Sequence, residues 1–177
     1  LLYSMVVAPV RQGDRITGVI VENKSGRQAV LGKVVVDCTG DADLAYQMGA
    51  PTVKGRESDG KMRPMTLMFR LGNVDVARIV EFARQHPEDF GPDPIRNLLD
   101  IEHGAVHIEG FFKEVREARE RGELDRDCHY IRFDGIMVDR GTVWVNNTRV
   151  YNVDGTNAQD LTRAEIEARR QMRKLVA

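Results

Sequence analysis

Two cysteines, Cys38 and Cys128, are all the thiol chemistry in the 177 residues, and they stand far apart. That argues against a disulfide framework and makes a reducing cytoplasm the expected compartment. An excess of either charge is missing too: 26 basic residues face 27 acidic ones, for a net charge of −1. A general nucleic-acid binder needs a basic surplus to displace counterions, so nucleic acid is not an expected partner. No apolar run approaches the roughly 18 residues of a membrane span, and no signal-peptide pattern opens the chain. A membrane is therefore not expected either. What is present is ordinary for a globular fold, with 42% hydrophobic and 30% charged residues, and there is length enough to bury a real core. The chain opens in mid-stride on Leu1-Leu2-Tyr3 and closes within a helical pattern, so an excerpt of something longer is expected.

Val34-Val35-Val36 is an unbroken β-branched run. Such a run reads as a strand buried on both faces, as in the middle of a parallel sheet. It gives way to Asp37-Cys38-Thr39-Gly40-Asp41, where Gly40 lets the backbone come close to a ligand. Asp41 and Asp43 then precede Leu44, Ala45 and Met48, which have the spacing of one helix face, and Gly49 and Pro51 end that helix. A buried strand, a glycine and a helix is the arrangement in which open α/β sheets place their ligands. Upstream, Leu2–Val10, Ile16–Glu22 and Gln28–Leu31 read as a β-meander, with turns at Arg11–Asp14 and Lys24–Arg27.

A meander that delivers the chain into an apolar run and Asp-x-Thr-Gly-Asp resembles the FAD-dependent oxidoreductases of the two-dinucleotide-binding superfamily. The subgroup reading D-A-T-G-D-x-D-L-A…G-A-P is the nearer likeness. It stands here as Asp37-Cys38-Thr39-Gly40-Asp41-Ala42-Asp43-Leu44-Ala45, then Gly49-Ala50-Pro51, with Cys38 in the alanine place. Pro64–Gly72, Val145–Arg149 and Asp154–Glu165 are similar to the same subgroup, so the likeness spans nearly the whole chain. It implies FAD as cofactor, a small-molecule substrate, and hydride transfer between a substrate carbon and flavin N5, with the protein supplying orientation. It implies cofactor contact for Thr39, Gly40 and Asp41. Asp43 beside them fits either a cofactor contact or a helix-terminal role. A carboxylate at Asp41 repels phosphate but suits sugar or ribityl hydroxyls. Such enzymes begin with strand–G-x-G-x-x-G–helix. Here no two glycines are separated by a single residue, so only part of an FAD site is expected. The implied fold is mixed α/β (α+β), with residues 1–51 a partial FAD-binding domain of meander plus parallel strand. Residues 52–177 would form an α+β substrate domain with antiparallel strands and the start of a return helix.

Beyond the polar loop Thr52–Met62, Pro64–Leu71 alternates as a half-buried strand, with Met65, Leu67, Phe69 and Leu71 on one face. Arg70 on the other face can grip a substrate carboxylate in a bidentate pair, or stand solvated. Asp75 is placed to cap a helix with the stripe Val76, Ile79, Val80 and Ala83, ending at His86-Pro87. A short helix at Ile95–Leu99 is expected. His103 and His107, four apart behind Glu102, have a spacing that suits two metal ligands, but Gly104 weakens such a helix and no third ligand is near. No metal is expected. Phe111–Arg121 reads as a helix lined by Phe111, Phe112, Val115 and Ala118, with charge pairs such as Lys113–Glu117 on its other sides.

Three strands follow, His129–Phe133, Ile136–Val138 and Thr142–Val150, parted by turns at Asp134-Gly135 and Arg140-Gly141. In the last, Val143, Val145, Asn147 and Arg149 share a face. Asn147 and Arg149 either face flavin or substrate, or mark an exposed strand end. Thr162-Arg163-Ala164-Glu165 has the form of a capping box, with Leu161 and Ile166 as its staple, ahead of a face carrying Ala164, Ala168, Met172 and Leu175. If that face is bare it invites association, so a homo-oligomer is an open expectation. No catalytic acid or base stands out. Two rivals remain: a flavoprotein-like module that binds no cofactor by itself, and an aspartyl-phosphate phosphotransferase using Asp37.

Overall fold

The computed structural model describes residues 1–91, 99–100, 105–106, 108–137 and 140–177. The chain divides into two compact units, Leu1–Gly55 and Arg56–Ala177. In the first, β1 (Met5–Gln12), β2 (Arg15–Asn23) and β3 (Gly26–Leu31) form an antiparallel meander in the order β1-β2-β3. Both connections are two-residue hairpins, Gly13-Asp14 closed by the Gln12–Arg15 pair and Lys24-Ser25 closed by the Asn23–Gly26 pair. The turn chemistry fixes these ends, as the sequence pattern requires. Helix α1 (Asp43–Gln47) buries Leu44 and ends in paired backbone bonds, Gly49 N–H to Tyr46 O at 2.9 Å and Ala50 N–H to Ala45 O at 3.0 Å. These satisfy carbonyls that the helix leaves open.

The parallel strand expected at Val34–Val36 is not formed. A β-branched run becomes a strand only where a neighbour supplies donors and acceptors for its backbone. Among the described residues no strand pairs with it, and Val34 is 82% and Val36 77% exposed.

The second unit is built on a four-stranded antiparallel sheet of order β4-β9-β8-β7. Its strands are β4 (Phe69–Leu71), β7 (Ile108–Gly110), β8 (Ile131–Met137) and β9 (Thr142–Val145), and β5 (Leu99–Asp100) pairs separately with β6 (Ala105–Val106). Inward-facing Phe69, Ile108, Phe133, Val143 and Val145 pack against Val76, Val80 and Ala83 of α2 (Val76–Gln85). Asp75 caps α2, its carboxylate accepting from Arg78 N–H at 3.0 Å. Phe111 precedes α3 (Phe112–Glu120) and joins the same core, where its ring stacks on Phe82 with centroids 5.7 Å apart. Helix α4 (Ala158–Val176) lays Ala164 and Ala168 against Val150 and Val153, and sends Met172 and Leu175 to the main core. That apolar face is covered within its own unit.

Other boundaries shift for identifiable reasons. The strand expected over Pro64–Leu71 keeps its alternation, but only Phe69–Leu71 pairs in the ladder, and Met65 touches Val150 in an isolated bridge. Asp134-Gly135 is no turn: it is an irregularity inside β8, where Gly135 lies opposite Trp144. A β-carbon at Gly135 would lie 3.3 Å from the indole Cδ1, so the glycine makes room for a ring and does not reverse the chain. Helix α4 begins a turn before the expected capping box. Asn157 is its cap, accepting from Gln159 and Asp160 N–H at 3.0 and 3.1 Å, while the Thr162 hydroxyl donates to Ala158 O inside the helix at 2.9 Å. Leu161 and Ile166 are exposed and form no staple against a core. Apart from Leu99, the expected helix Ile95–Leu99 lies outside the described residues, as do His103 and His107. Among the described residues no helix is long and apolar enough to cross a membrane, and no group of His, Cys, Asp or Glu could hold a metal ion.

Candidate functional site

The loop between β3 and α1 is shaped by one carboxylate. Asp37 Oδ1 accepts from the Thr39 N–H at 3.1 Å and the Thr39 hydroxyl at 2.7 Å, and Oδ2 accepts from the Ala45 N–H at 3.0 Å. The Ala45 amide first, then the Thr39 hydroxyl and amide, hold the Asp37 carboxyl below the ordinary carboxylate range. Thr39 Oγ1 in turn accepts from the Asp43 N–H at 2.8 Å. Thr39 therefore links the end of the valine run to the first residue of α1. Sequence reasoning treated Asp37 as a strand end. The signal that could have found its role is Asp-x-Thr, since aspartate commonly bonds the backbone two residues on.

Tying both ends down forces the middle of the loop into an unusual path. Gly40 has φ +91°, which a β-carbon would disfavour, and Ala42 has φ +58° without being glycine. A left-handed alanine costs roughly 1–2 kcal/mol, which the surrounding bonds must offset. Positive φ on both sides of Asp41 brings successive amides into the kind of concavity that receives oxygen ligands. The N–H groups of Gly40, Asp41 and Ala42 make no hydrogen bond to the described protein, and the Asp41 carboxylate has no partner there. Beside the loop, an open groove of about 630 Å³ runs along the meander, lined by Val6, Val19 and Val35 with Thr39 and Asp43 on its polar side.

That donor set is three amides and one carboxylate. It matches a ligand with several hydroxyls, each able to accept from N–H and donate to a carboxylate. It matches a bare phosphate poorly, because Asp41 stands among the amides. Thus Thr39, Gly40, Asp41 and Asp43 share one loop. Its hydroxyl and one carboxylate maintain its shape, and its amides and another carboxylate remain available.

Arg70, Asn147 and Arg149 lie in the second unit and do not converge as one group. Arg70 is on β4, opposite Trp144, with its guanidinium carbon 5.1 Å from the indole centroid. It is solvent-exposed, and no carboxylate of the described residues pairs with it. Asn147 is buried: its Oδ1 accepts from Arg132 N–H at 2.8 Å and its Nδ2 donates to Tyr130 O. Arg149 turns to the Tyr130 hydroxyl, and its backbone is clasped by Gln171, which accepts from its N–H at 2.7 Å and donates to its carbonyl at 3.0 Å. Tyr130 and Gln171, which the sequence pattern did not single out, are thus the partners of this stretch.

No curated protein and no solved structure matches the chain. A family model described as FAD dependent oxidoreductase matches residues 1–177, the whole sequence from the meander to α4. The chain belongs to the FAD dependent oxidoreductase family.

Proposed function

We propose that the loop 39–42 holds hydroxyl groups of the sugar or ribityl portion of FAD, and that the second unit presents a small-molecule substrate for flavin-mediated hydride transfer. When bound, FAD supplies the redox chemistry and the protein supplies orientation. The observation that carries this reading is the pairing of the unbonded amides at Gly40, Asp41 and Ala42 with the unpartnered Asp41 carboxylate. Asp37 and Thr39 act one step removed, by holding that loop open. Asp43 lines the groove beside it. On the substrate side, Arg70 is the residue suited to a carboxylate, because its guanidinium is exposed and held over Trp144. Asn147 and Arg149 support the surface on which a substrate would rest.

Titration of FAD into the protein, followed by flavin fluorescence, tests this. Asp41→Ala should weaken binding by about 1.5–3 kcal/mol, the range for a hydrogen bond to a charged group, and leave the circular dichroism spectrum unchanged. An Asp41→Ala variant that binds as tightly as the parent would overturn the assignment.

A further inference from the structure

Beyond β9, the Arg149 guanidinium is partly buried without a counterion: no carboxylate of the described residues pairs with it. Its neighbours are two phenols. Nη2 donates to the Tyr130 hydroxyl, the guanidinium carbon lies 5.4 Å from the Tyr130 ring centroid, and Tyr151 is a second hydrogen-bonding partner. Burial opposes the charge on Arg149, and the two tyrosines raise its pKa. The acids close by are used otherwise: Asp125 accepts from Arg170 and Lys174, and Asp127 sets its charge against the buried Cys128 thiol. The backbone of both main partners is held. Gln171 of α4 clasps Arg149 through its N–H and carbonyl, at 2.7 and 3.0 Å, and the Tyr130 carbonyl accepts from Asn147 Nδ2 and from the Cys128 thiol. Guanidinium and phenol are thus set in place before any ligand arrives, which lowers the cost of binding one.

We propose that Arg149, Tyr130 and Tyr151 form a binding site for the carboxylate of a small organic monoacid. The guanidinium offers paired N–H groups to the two carboxylate oxygens, and a phenol that accepts from arginine keeps its own proton to donate. A cation drawn partly out of water and left unpaired by the protein is compensated when an anion enters. One guanidinium with two aspartates close by fits a single negative charge better than a double one. The site goes beyond the function proposed above: it uses neither the flavin loop nor Arg70, which stands exposed on β4. Its failure and the failure of that function are therefore separate outcomes.

Acetate, acetamide and phosphate separate the possibilities, and FAD is left out of the test. In amide-resolved NMR titrations of the whole chain at about pH 8, acetate should give saturable shifts centred on residues 130, 149 and 151. Acetamide, of the same shape without the charge, should bind about tenfold more weakly, as one hydrogen bond to a charged group allows. Phosphate, a dianion at that pH, should also bind more weakly than acetate. Arg149→Gln should abolish the acetate shifts, and Tyr151→Phe, which keeps the ring and loses the hydroxyl, should weaken acetate about fivefold. No saturable shift with acetate, equal affinity for acetate and acetamide, tighter binding of phosphate, or an Arg149→Gln or Tyr151→Phe variant that binds as the parent does would each overturn the proposal. Should Arg149→Gln fail to fold, the ranking of the three probes on the parent chain and the Tyr151→Phe variant still decide.

Discussion

Two polar runs in this chain follow valine-rich segments, yet they use their side chains in opposite ways. In Asp37–Asp43 a carboxylate and a hydroxyl fold back onto the loop and leave three successive amides and the Asp41 carboxylate without partners among the described residues. In Asn146–Thr148 every side chain is committed to neighbouring chain. Asn146 bonds Asp134 and Thr66, Asn147 bonds Arg132 and Tyr130, and the Thr148 hydroxyl both donates to and accepts from the Leu67 backbone. The second run replaces ladder bonds that end with β9, because a buried backbone group needs a partner whether or not a strand supplies it. Ligand contacts are to be sought among polar atoms left over once that need is met. The loop has such atoms; the side chains of Asn146–Thr148 are engaged.

The sharpest way to break this contrast is Asn147→Ala. It leaves the Arg132 N–H and Tyr130 carbonyl without their side-chain partner, at a cost of about 2–4 kcal/mol. Denaturant unfolding of the second unit measures it. A variant of unchanged stability that instead raises KM would make Asn147 a substrate residue after all.

A smaller effect separates the two ways of starting α4. Asn157→Ala should destabilise by about 0.5–2 kcal/mol, while Thr162→Ala, which removes only an exposed bond back to Ala158, should stay within about 0.5 kcal/mol. A reversed ranking in thermal unfolding would restore the capping box.

Smallest is a pH effect at Asp37. Its carboxyl is held below its ordinary value, so its bonds stabilise the loop fully above that value and are lost as pH falls through the lower, folded one. The amides of Thr39 and Ala45 should therefore lose their native NMR shifts with a midpoint below 3.8, the ordinary value for an aspartate carboxyl. A midpoint at or above that value would mean the carboxylate is not engaged.

Legibility in the sequence followed the range of the forces involved. The meander, α2 and α3 are written in local chemistry: hairpin residues at Gly13-Asp14 and Lys24-Ser25, a capping Asp75, and an apolar stripe at helical spacing. Val34–Val36 misled because its pattern states what a strand needs and not whether a neighbour supplies it. Gly135 misled because a glycine facing Trp144 has the same letter as a glycine in a turn. At α4 the expected box at Thr162 lies five residues after the cap that forms, Asn157, whose bonds and the Asp160–Arg163 pair hold the earlier start. In the loop, membership of one segment placed Thr39, Gly40, Asp41 and Asp43 together. Which atoms bond each other was not readable, because it depends on the positive φ at Gly40 and Ala42.

The meander has a further consequence, for colloidal behaviour. Strand β3 pairs with β2 on one side only, every residue of it is exposed, and Val30, Leu31, Val34 and Val36 stand in solvent beside it. An open, apolar border of this kind is a template on which another chain can lay its own strand. Lys33 interrupts the apolar run as a lone gatekeeping charge. Concentrated solutions should therefore gel or precipitate through intermolecular strand pairing, and Val34→Lys, which adds a second charge at the border without touching the Asp37 network, should raise the solubility limit.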